Sequence, residues 1–333
     1  MDIKALNLTG KSILKLADLT DEQVLGLVDL AMELKARKKK LEHLDHPLMR
    51  GRNICLIFEK GSTRTRCATS TAIRDEGGTA EFLGVGDIHF GKKESVKDSA
   101  RVLGRMFDGI MFRGYKQKTV EDLAKWSGIP VWNGLTDDWH PSQILADFLT
   151  IKEAFGYLKG LTLCFVGDGR NNMANSLMVG CAKAGVNFIN VCPEELSPAP
   201  EVIAMATECA KRNGSFIRIS HDPKTGVEGA NVLYTDVWVS MGEEKLFAER
   251  VKLLSPYQVN MEMVRHTGNA DPSKLIFLHC LPAFHDHETT DTKDCGSLEV
   301  SDEDFEYEYS RVFDEAENRL HTIQAMMVAS LAR

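Results

Sequence analysis

The chain has 333 residues, 43% of them hydrophobic and 26% charged, with a formal net charge of -8. The length predicts two domains, the composition is that of an ordinary globular protein, and the negative charge gives no reason to expect nucleic acid as a partner. No stretch approaches the roughly 18 apolar residues of a membrane span, Met1-Asp2-Ile3-Lys4 opens no signal peptide, and the eight cysteines are scattered without C-x-x-C spacing, so a cytoplasmic protein with reduced thiols is expected.

Thr20-Asp21-Glu22-Gln23 reads as a capping box, and Val24, Leu27, Val28, Ala31 and Leu34 follow at helical spacing. Asn53 to Phe58 is short, apolar and β-prone, which predicts a buried strand. Gly61-Ser62-Thr63-Arg64-Thr65-Arg66 follows, then a helix over Cys67 to Glu76 that stops at Gly77-Gly78. A strand, a turn of small hydroxylated residues and a helix start make an anion site, because the first N–H groups of a helix have no intrahelical partner and the dipole is positive there. Arg64 and Arg66 add guanidinium forks suited to phosphate oxygens. The plainer reading is a capped helix with two solvated arginines, and the Walker spacing is absent. Thr79 to Leu83 predicts a second strand, Gly86 to Gly91 a glycine-rich loop, and Glu94 to Phe107 a helix. Gly109 to Gly114 is a further strand with Arg113 at its carboxyl end, where ligands of open parallel sheets sit. Val131 to Gly134 predicts another strand, and Pro141 after Trp139-His140 suits the first turn of a helix reaching about Phe155.

Leu161 to Val166 predicts a buried parallel strand, followed by Gly167-Asp168-Gly169-Arg170-Asn171-Asn172. A dinucleotide loop would need a third glycine at 172, where asparagine stands, so NAD or FAD is not expected. Strands are predicted over Val186 to Cys192, Ser215 to Ser220, Asn231 to Thr235 and Leu275 to Leu278, with helices between. Asp236 reads as a cap and Met241 as core filler unless the loop they share has a chemical task. His279, Cys280, His285 and His287 invite a metal, but their spacing fits no common zinc pattern; a nucleophilic Cys280 has no base placed beside it by sequence. Leu281-Pro282 is a candidate cis bond. Phe313 to His321 opens a last helix with Ile323, Met326, Met327 and Leu331 on its apolar stripe.

The S-T-R-T loop at 62–65, Arg113 in an F-R-G setting, His140-Pro141-x-Gln143, the D-x-x-x-S-M-G run from Asp236 to Gly242, His279-Cys280-Leu281-Pro282 and Arg319 occur in that order. On these motifs essentially the whole chain resembles the aspartate/ornithine carbamoyltransferase family. The resemblance implies an α/β protein of two doubly wound parallel-sheet domains with helices on both faces. Residues 1-150, with a C-terminal helix 318-333 packing back on them, would bind carbamoyl phosphate, and residues 151-317 would bind ornithine. It implies that Ser62, Thr63, Arg64, Thr65 and Arg113 hold the phosphoryl group, with support from His89. Arg64, His140, Gln143 and Arg319 would address the carbamoyl end, with Pro141 and Ser142 in the same stretch and Cys280 and Leu281 meeting it from the H-C-L-P turn. Asn172, Asp236, Ser240 and Met241 would hold the amino and carboxylate groups of ornithine. Arg64, Arg113, His140, Gln143, Asp236 and Cys280 form the implied catalytic set.

The activity implied is carbamoyl transfer from carbamoyl phosphate to the δ-amine of L-ornithine, in arginine metabolism, with no metal or cofactor and with assembly as a homotrimer or a multiple of trimers. Another amine acceptor, such as putrescine or aspartate, and a non-catalytic binding homologue are the competing readings.

Overall fold

The computed structural model describes residues 2–331 apart from His89, Gly91, Lys92, 240–243 and Asp291, and nothing is described for the side chain of Glu244. The chain forms two units, Met1–Leu149 with Glu317–Arg333, and Thr150–Ala316. In chain order the first contains α1 (Asp21–Lys39), α2 (Glu42–Asp45), β1 (Asn53–Phe58), α3 (Thr63–Asp75), β2 (Thr79–Leu83), α4 (Val96–Met106), β3 (Gly109–Arg113), α5 (Gln117–Ser127), β4 (Val131–Leu135) and the head of α6 (Pro141–Phe155). The second contains β5 (Thr162–Val166), α7 (Asn172–Ala184), β6 (Asn187–Val191), α8 (Pro200–Asn213), β7 (Ile217–Ser220), β8 (Val232–Thr235), α9 (Phe247–Leu254), α10 (Met261–His266), β9 (Ile276–His279) and α11 (Asp302–Phe305). The last helix, α12 (Val312–Leu331), starts in the second unit and supplies Glu317 onward to the first.

Both sheets are parallel, which requires crossover connections and gives central strands that are apolar and buried. The helix expected between β7 and β8 is not formed: residues 221–231 cross over as a run of turns. The first sheet has the order β2-β1-β3-β4 and the second β7-β6-β5-β8-β9. In each, the chain winds outward in two directions from one pair, β1 with β3 and β5 with β8, and the crevice beyond the carboxyl ends of such a pair is where ligands sit. This is the doubly wound α/β class expected from the sequence. Cys55, Ile57, Ile110, Phe112 and Val131 of the first sheet are fully buried against Val120 and Leu123 of α5. Cys164, Val166, Ile189, Leu233 and Phe277 form the matching core of the second unit with Leu254, Met263 and Val264. Each such side chain contributes about 1.5–3 kcal/mol relative to exposure, so the sheets rather than the short helices hold each unit together.

Local rules set the element ends that matter. α3 starts at Thr63, four residues before the expected Cys67, because extended Ser62 (φ -163°) caps it and its Oγ accepts the Thr65 N–H at 3.2 Å. The S-T-R-T run is therefore the first helical turn and not a loop ahead of the helix. α3 ends as expected at Gly77, which takes φ 75° while Gly78 N–H returns to the Ile73 carbonyl at 2.9 Å. Ser95 caps α4, so that helix is a little shorter than the run from Glu94 to Phe107. At Gly104 of α4 a Cβ would lie 1.8 Å from the Ser127 carbonyl at the end of α5, so only glycine permits that approach. All eight cysteines are free, with Cys55, Cys164, Cys181, Cys192 and Cys209 buried. Burial pushes the thiols of Cys55 and Cys192 up to about 12, which leaves them unreactive. Leu281-Pro282 is cis. Among the described residues no helix is long and apolar enough to cross a membrane.

Within the first unit, the Glu317-onward part of α12 is bonded from both ends. Lys35 Nζ donates to Asn318 Oδ1 at 2.8 Å, Gln324 Nε2 to buried Glu76 Oε1 at 2.7 Å, and Trp132 Nε1 to Ser330 Oγ at 3.1 Å. His321 is buried beside them, and burial, then the Lys35 ammonium, pulls its pKa down to about 4 from 6.5. The folded state therefore resists a proton that the unfolded chain accepts, so stability is intact above about pH 6.5 and declines as pH falls toward about 4. Replacing His321→Gln should flatten the decline across that window, as read from urea midpoints at successive pH values.

Candidate active site

One polar cluster lies in each unit, at its sheet's switch point. In the first, β1 runs into the capped start of α3, β3 delivers Arg113, and the chain after β4 passes through His140 into α6. Arg319 of α12 joins these elements. Its Nη1 donates to Gln143 Oε1 at 2.6 Å, and its Nη2 to Thr65 Oγ1 at 3.1 Å and Ser142 Oγ at 3.2 Å. Arg113 Nη1 reaches the same Thr65 hydroxyl at 3.5 Å, and Ser142 Oγ lies 3.4 Å from His140 Nδ1. Arg319 is 2% exposed and Arg113 8%. A buried guanidinium is tolerable only when its donors are used, and a fork of five N–H groups fits several oxygens at once.

Gln143 has its amide fixed by opposite demands. Its oxygen accepts from Arg319, and its Nε2 donates at 2.9 Å to Oδ1 of Asp147, one turn further along α6 and fully buried. His140, 3% exposed, is held well below its usual pKa by burial, then by Arg319, Arg113 and Arg64. It is a neutral imidazole at physiological pH, able to donate at one nitrogen and accept at the other. Guanidiniums, hydroxyls, a helix start and a neutral imidazole together suit a ligand with a phosphoryl group and a carbonyl.

Thr65, Arg113, His140, Ser142, Gln143 and Arg319 are thus brought together, and the charge of Arg64 reaches His140. Ser62 caps α3, Thr63 is exposed on its first turn, and Pro141 opens α6. Arg66 departs from expectation: its guanidinium lies 3.6 Å above the Phe82 ring, and Phe82 packs edge-on against Phe58. It belongs to the packing between α3 and β2 instead of a phosphate clamp. The expected site residues His89, Ser240 and Met241 lie outside the described residues.

In the second unit Asp236 follows β8 and Cys280 follows β9. The carboxylate accepts the Val237 N–H at 2.8 Å and the Cys280 thiol at 3.2 Å on Oδ1, and the Asn171 amide at 3.3 Å on Oδ2. Burial pushes its pKa up, opposed by His279, by the Cys280 thiol and by the Val237 N–H. Asn172 is the first residue of α7 and half-buried beside Asn171. The H-C-L-P turn is clamped at His279, whose N–H donates to Glu315 Oε2 at 2.9 Å. Nδ1 of that ring accepts the Leu281 N–H at 2.9 Å, so Nε2 carries the proton and donates to Glu299 Oε1 at 3.2 Å. Gly169 lies where a Cβ would meet the Leu196 carbonyl at 2.7 Å, so the G-x-G run serves close packing at the end of β6.

Two groups bring metal-type side chains together, Asp236 with His279 and Cys280, and His285 with Asp286 and Asp302. Both ring nitrogens of His279 are engaged, which leaves the first group without an imidazole lone pair to offer. In the second, Asp302 faces His285 Nδ1 at 2.7 Å and Asp286 faces Nε2 at 3.7 Å, so the acids flank the ring from opposite nitrogens. His287 bonds elsewhere, to the Lys293 carbonyl.

Asp147 and Asn171 join the two clusters without belonging to any of the motifs. The i to i+4 spacing of Gln143 and Asp147 on one helix was a usable signal. Asn171 is legible as an N-cap, but its second partner lies 65 residues away.

Comparison with known proteins identifies the family. Residues 11–153 match the family model of the aspartate/ornithine carbamoyltransferase carbamoyl-P binding domain, and residues 159–330 that of the Asp/Orn binding domain. The chain belongs to the aspartate/ornithine carbamoyltransferase family. Within it, the chain is 53% identical to the catabolic ornithine carbamoyltransferase of Bacillus licheniformis over 334 residues, 98% of each chain. It is 55% identical to that of Streptococcus ratti over 328 residues, 97% of this chain and 96% of the relative. The solved ornithine carbamoyltransferase of Pyrococcus furiosus superposes with a TM-score of 0.88 at 39% identity, covering 97% of this chain and 98% of that one.

Because His140 is neutral, its ring resonances should show no protonation between about pH 8 and pH 6 in proton NMR, where an unperturbed histidine titrates. Asp147→Ala should lower stability by about 1–3 kcal/mol in urea denaturation, the cost of leaving a buried amide donor without its acceptor.

Proposed function

We propose that the protein transfers the carbamoyl group of carbamoyl phosphate to the δ-amine of L-ornithine, giving L-citrulline and phosphate, in a reversible reaction. The observation that carries this reading is the convergence of Arg113 and Arg319 on the capped start of α3, with neutral His140, under the charge of Arg64, beside Ser142 at the start of α6. In this reading Ser62, Thr63, Arg64, Thr65 and Arg113 take the phosphoryl group, and Arg64, His140, Gln143 and Arg319 take the carbamoyl end. Asn172 and Asp236 hold the α-amino and carboxylate groups of ornithine, with Ser240 and Met241 in the same role. Asp236 favours an acceptor that carries an ammonium at that place, which supports ornithine over aspartate.

The δ-amine, once neutral, attacks the carbamoyl carbon, charge builds on the carbonyl oxygen, the C–O bond to phosphate breaks, and the nitrogen gives up its proton to the departing phosphate. Donors already fixed around that oxygen lower the barrier because they need no reorganisation as charge develops. Holding the two substrates in line adds an entropic advantage of comparable size. The catabolic names of the Bacillus and Streptococcus relatives support phosphorolysis of citrulline, as in the arginine deiminase pathway, as the working direction. A homotrimer, or a multiple of trimers, in the cytoplasm completes the proposal, and eight free thiols fit a reducing compartment.

Citrulline formation from ornithine, measured beside the products from putrescine and aspartate, tests the acceptor. Arg319→Ala should lower kcat by on the order of 10²–10³, the usual cost of removing a fixed donor, and unchanged turnover would overturn the assignment. Activity should rise with pH above neutrality as the δ-ammonium loses its proton. No acid limb should come from His140, which is neutral throughout that range.

A further inference from the structure

Asn171 touches two things whose requirements differ. It is the N-cap of α7, and its Oδ1 accepts the Ala174 N–H at 2.8 Å. With the oxygen committed to the helix, the amide nitrogen must point the other way, and it donates to Asp236 Oδ2 at 3.3 Å. Asp236 Oδ1 is held by the Val237 N–H and by the Cys280 thiol. Each carboxylate oxygen therefore has its own protein donor, and the one on Oδ2 is set by a helix cap. Neither of the two comparably exposed asparagines at 171 and 172 is distinguished by its side-chain chemistry, so position alone gives residue 171 this link.

We propose that Asn171 is a positioning residue that uses the fixed start of α7 to hold the Asp236 carboxylate in one orientation for the ammonium of the amino-acid substrate. The inference rests on the reading of Asp236 as part of the ornithine site. An ammonium is bound by a carboxylate with free lone pairs on the correct side, and a carboxylate that rotates presents them only part of the time. Around that carboxylate stand His279 at the end of β9 and the Cys280 thiol after it, Glu299 behind His279, and, on the loop carrying Asn171, Asp168 paired with Arg250 at 3.1 Å and Arg170 at 3.4 Å.

Two substitutions separate capping from positioning, since serine and aspartate are both good N-caps and keep α7 closed. Asn171→Ser retains an oxygen for Ala174 but has no donor that reaches Asp236. It should raise the KM for ornithine about tenfold, with kcat within about twofold, the KM for carbamoyl phosphate unchanged and Tm within about two degrees of the parent. Asn171→Asp places a second carboxylate against Oδ2. It should raise the ornithine KM further at neutral pH and move the pH dependence of that KM to the alkaline side by about one unit, because a like charge disfavours ionisation. An unchanged ornithine KM in Asn171→Ser, whether or not Tm falls, overturns the inference and leaves a purely structural cap. Asp236→Asn is the control for the underlying reading: if it does not impair ornithine use, the ornithine assignment itself fails.

Discussion

The first unit depends on where one buried charge finds its partners. Arg319 comes 176 residues after Gln143 and 254 after Thr65, yet one guanidinium bonds to both, and to Ser142 as well. A charge at 2% exposure cannot stay there without such contacts, because its desolvation costs several kcal/mol. The fork thereby fixes the starts of α3 and α6 relative to α12, and those two helix starts, with Arg113 from β3, make up the cluster. The apolar core beneath, from Cys55 and Ile57 across to Phe112, supplies the rigidity and the arginine supplies the registration.

Charge in this cluster is arranged so that imidazole stays neutral while guanidiniums stay charged. Burial first, and then the cations near His140, depress its pKa, while Asp147 fixes the Gln143 amide away from the ring. In the second unit the order is reversed: a carboxylate is the central group, and amide, thiol and backbone donors surround it. Cationic donors in one unit and an anionic acceptor in the other match a phosphorylated carbamoyl donor and an amine-bearing acceptor.

What the sequence made legible follows from what is local. β1 and β2 fall on the predicted residues because short apolar and β-branched runs between turn residues have few alternatives, and the two-sheet α/β class follows from their alternation with helices. The start of α3 was misplaced because the S-T-R-T run reads as a loop until Ser62 is seen to cap it. Nothing local announces that Phe82, 16 residues on, offers Arg66 a ring. Asp147 could be found by helical spacing, whereas the bond from Asn171 to Asp236 depends on how β5 and β8 lie side by side.

The first unit is interrupted in sequence by the whole of the second. On a ribosome, Arg319 emerges only after every strand of the second sheet has been made. Until then the nascent chain holds Thr65, Ser142 and Gln143 without the guanidinium that joins them. The donor cluster therefore forms late in biosynthesis, as the closing event of a fold whose inserted portion has all its strands in hand, and a transcript cut short after residue 316 would yield a chain unable to complete it.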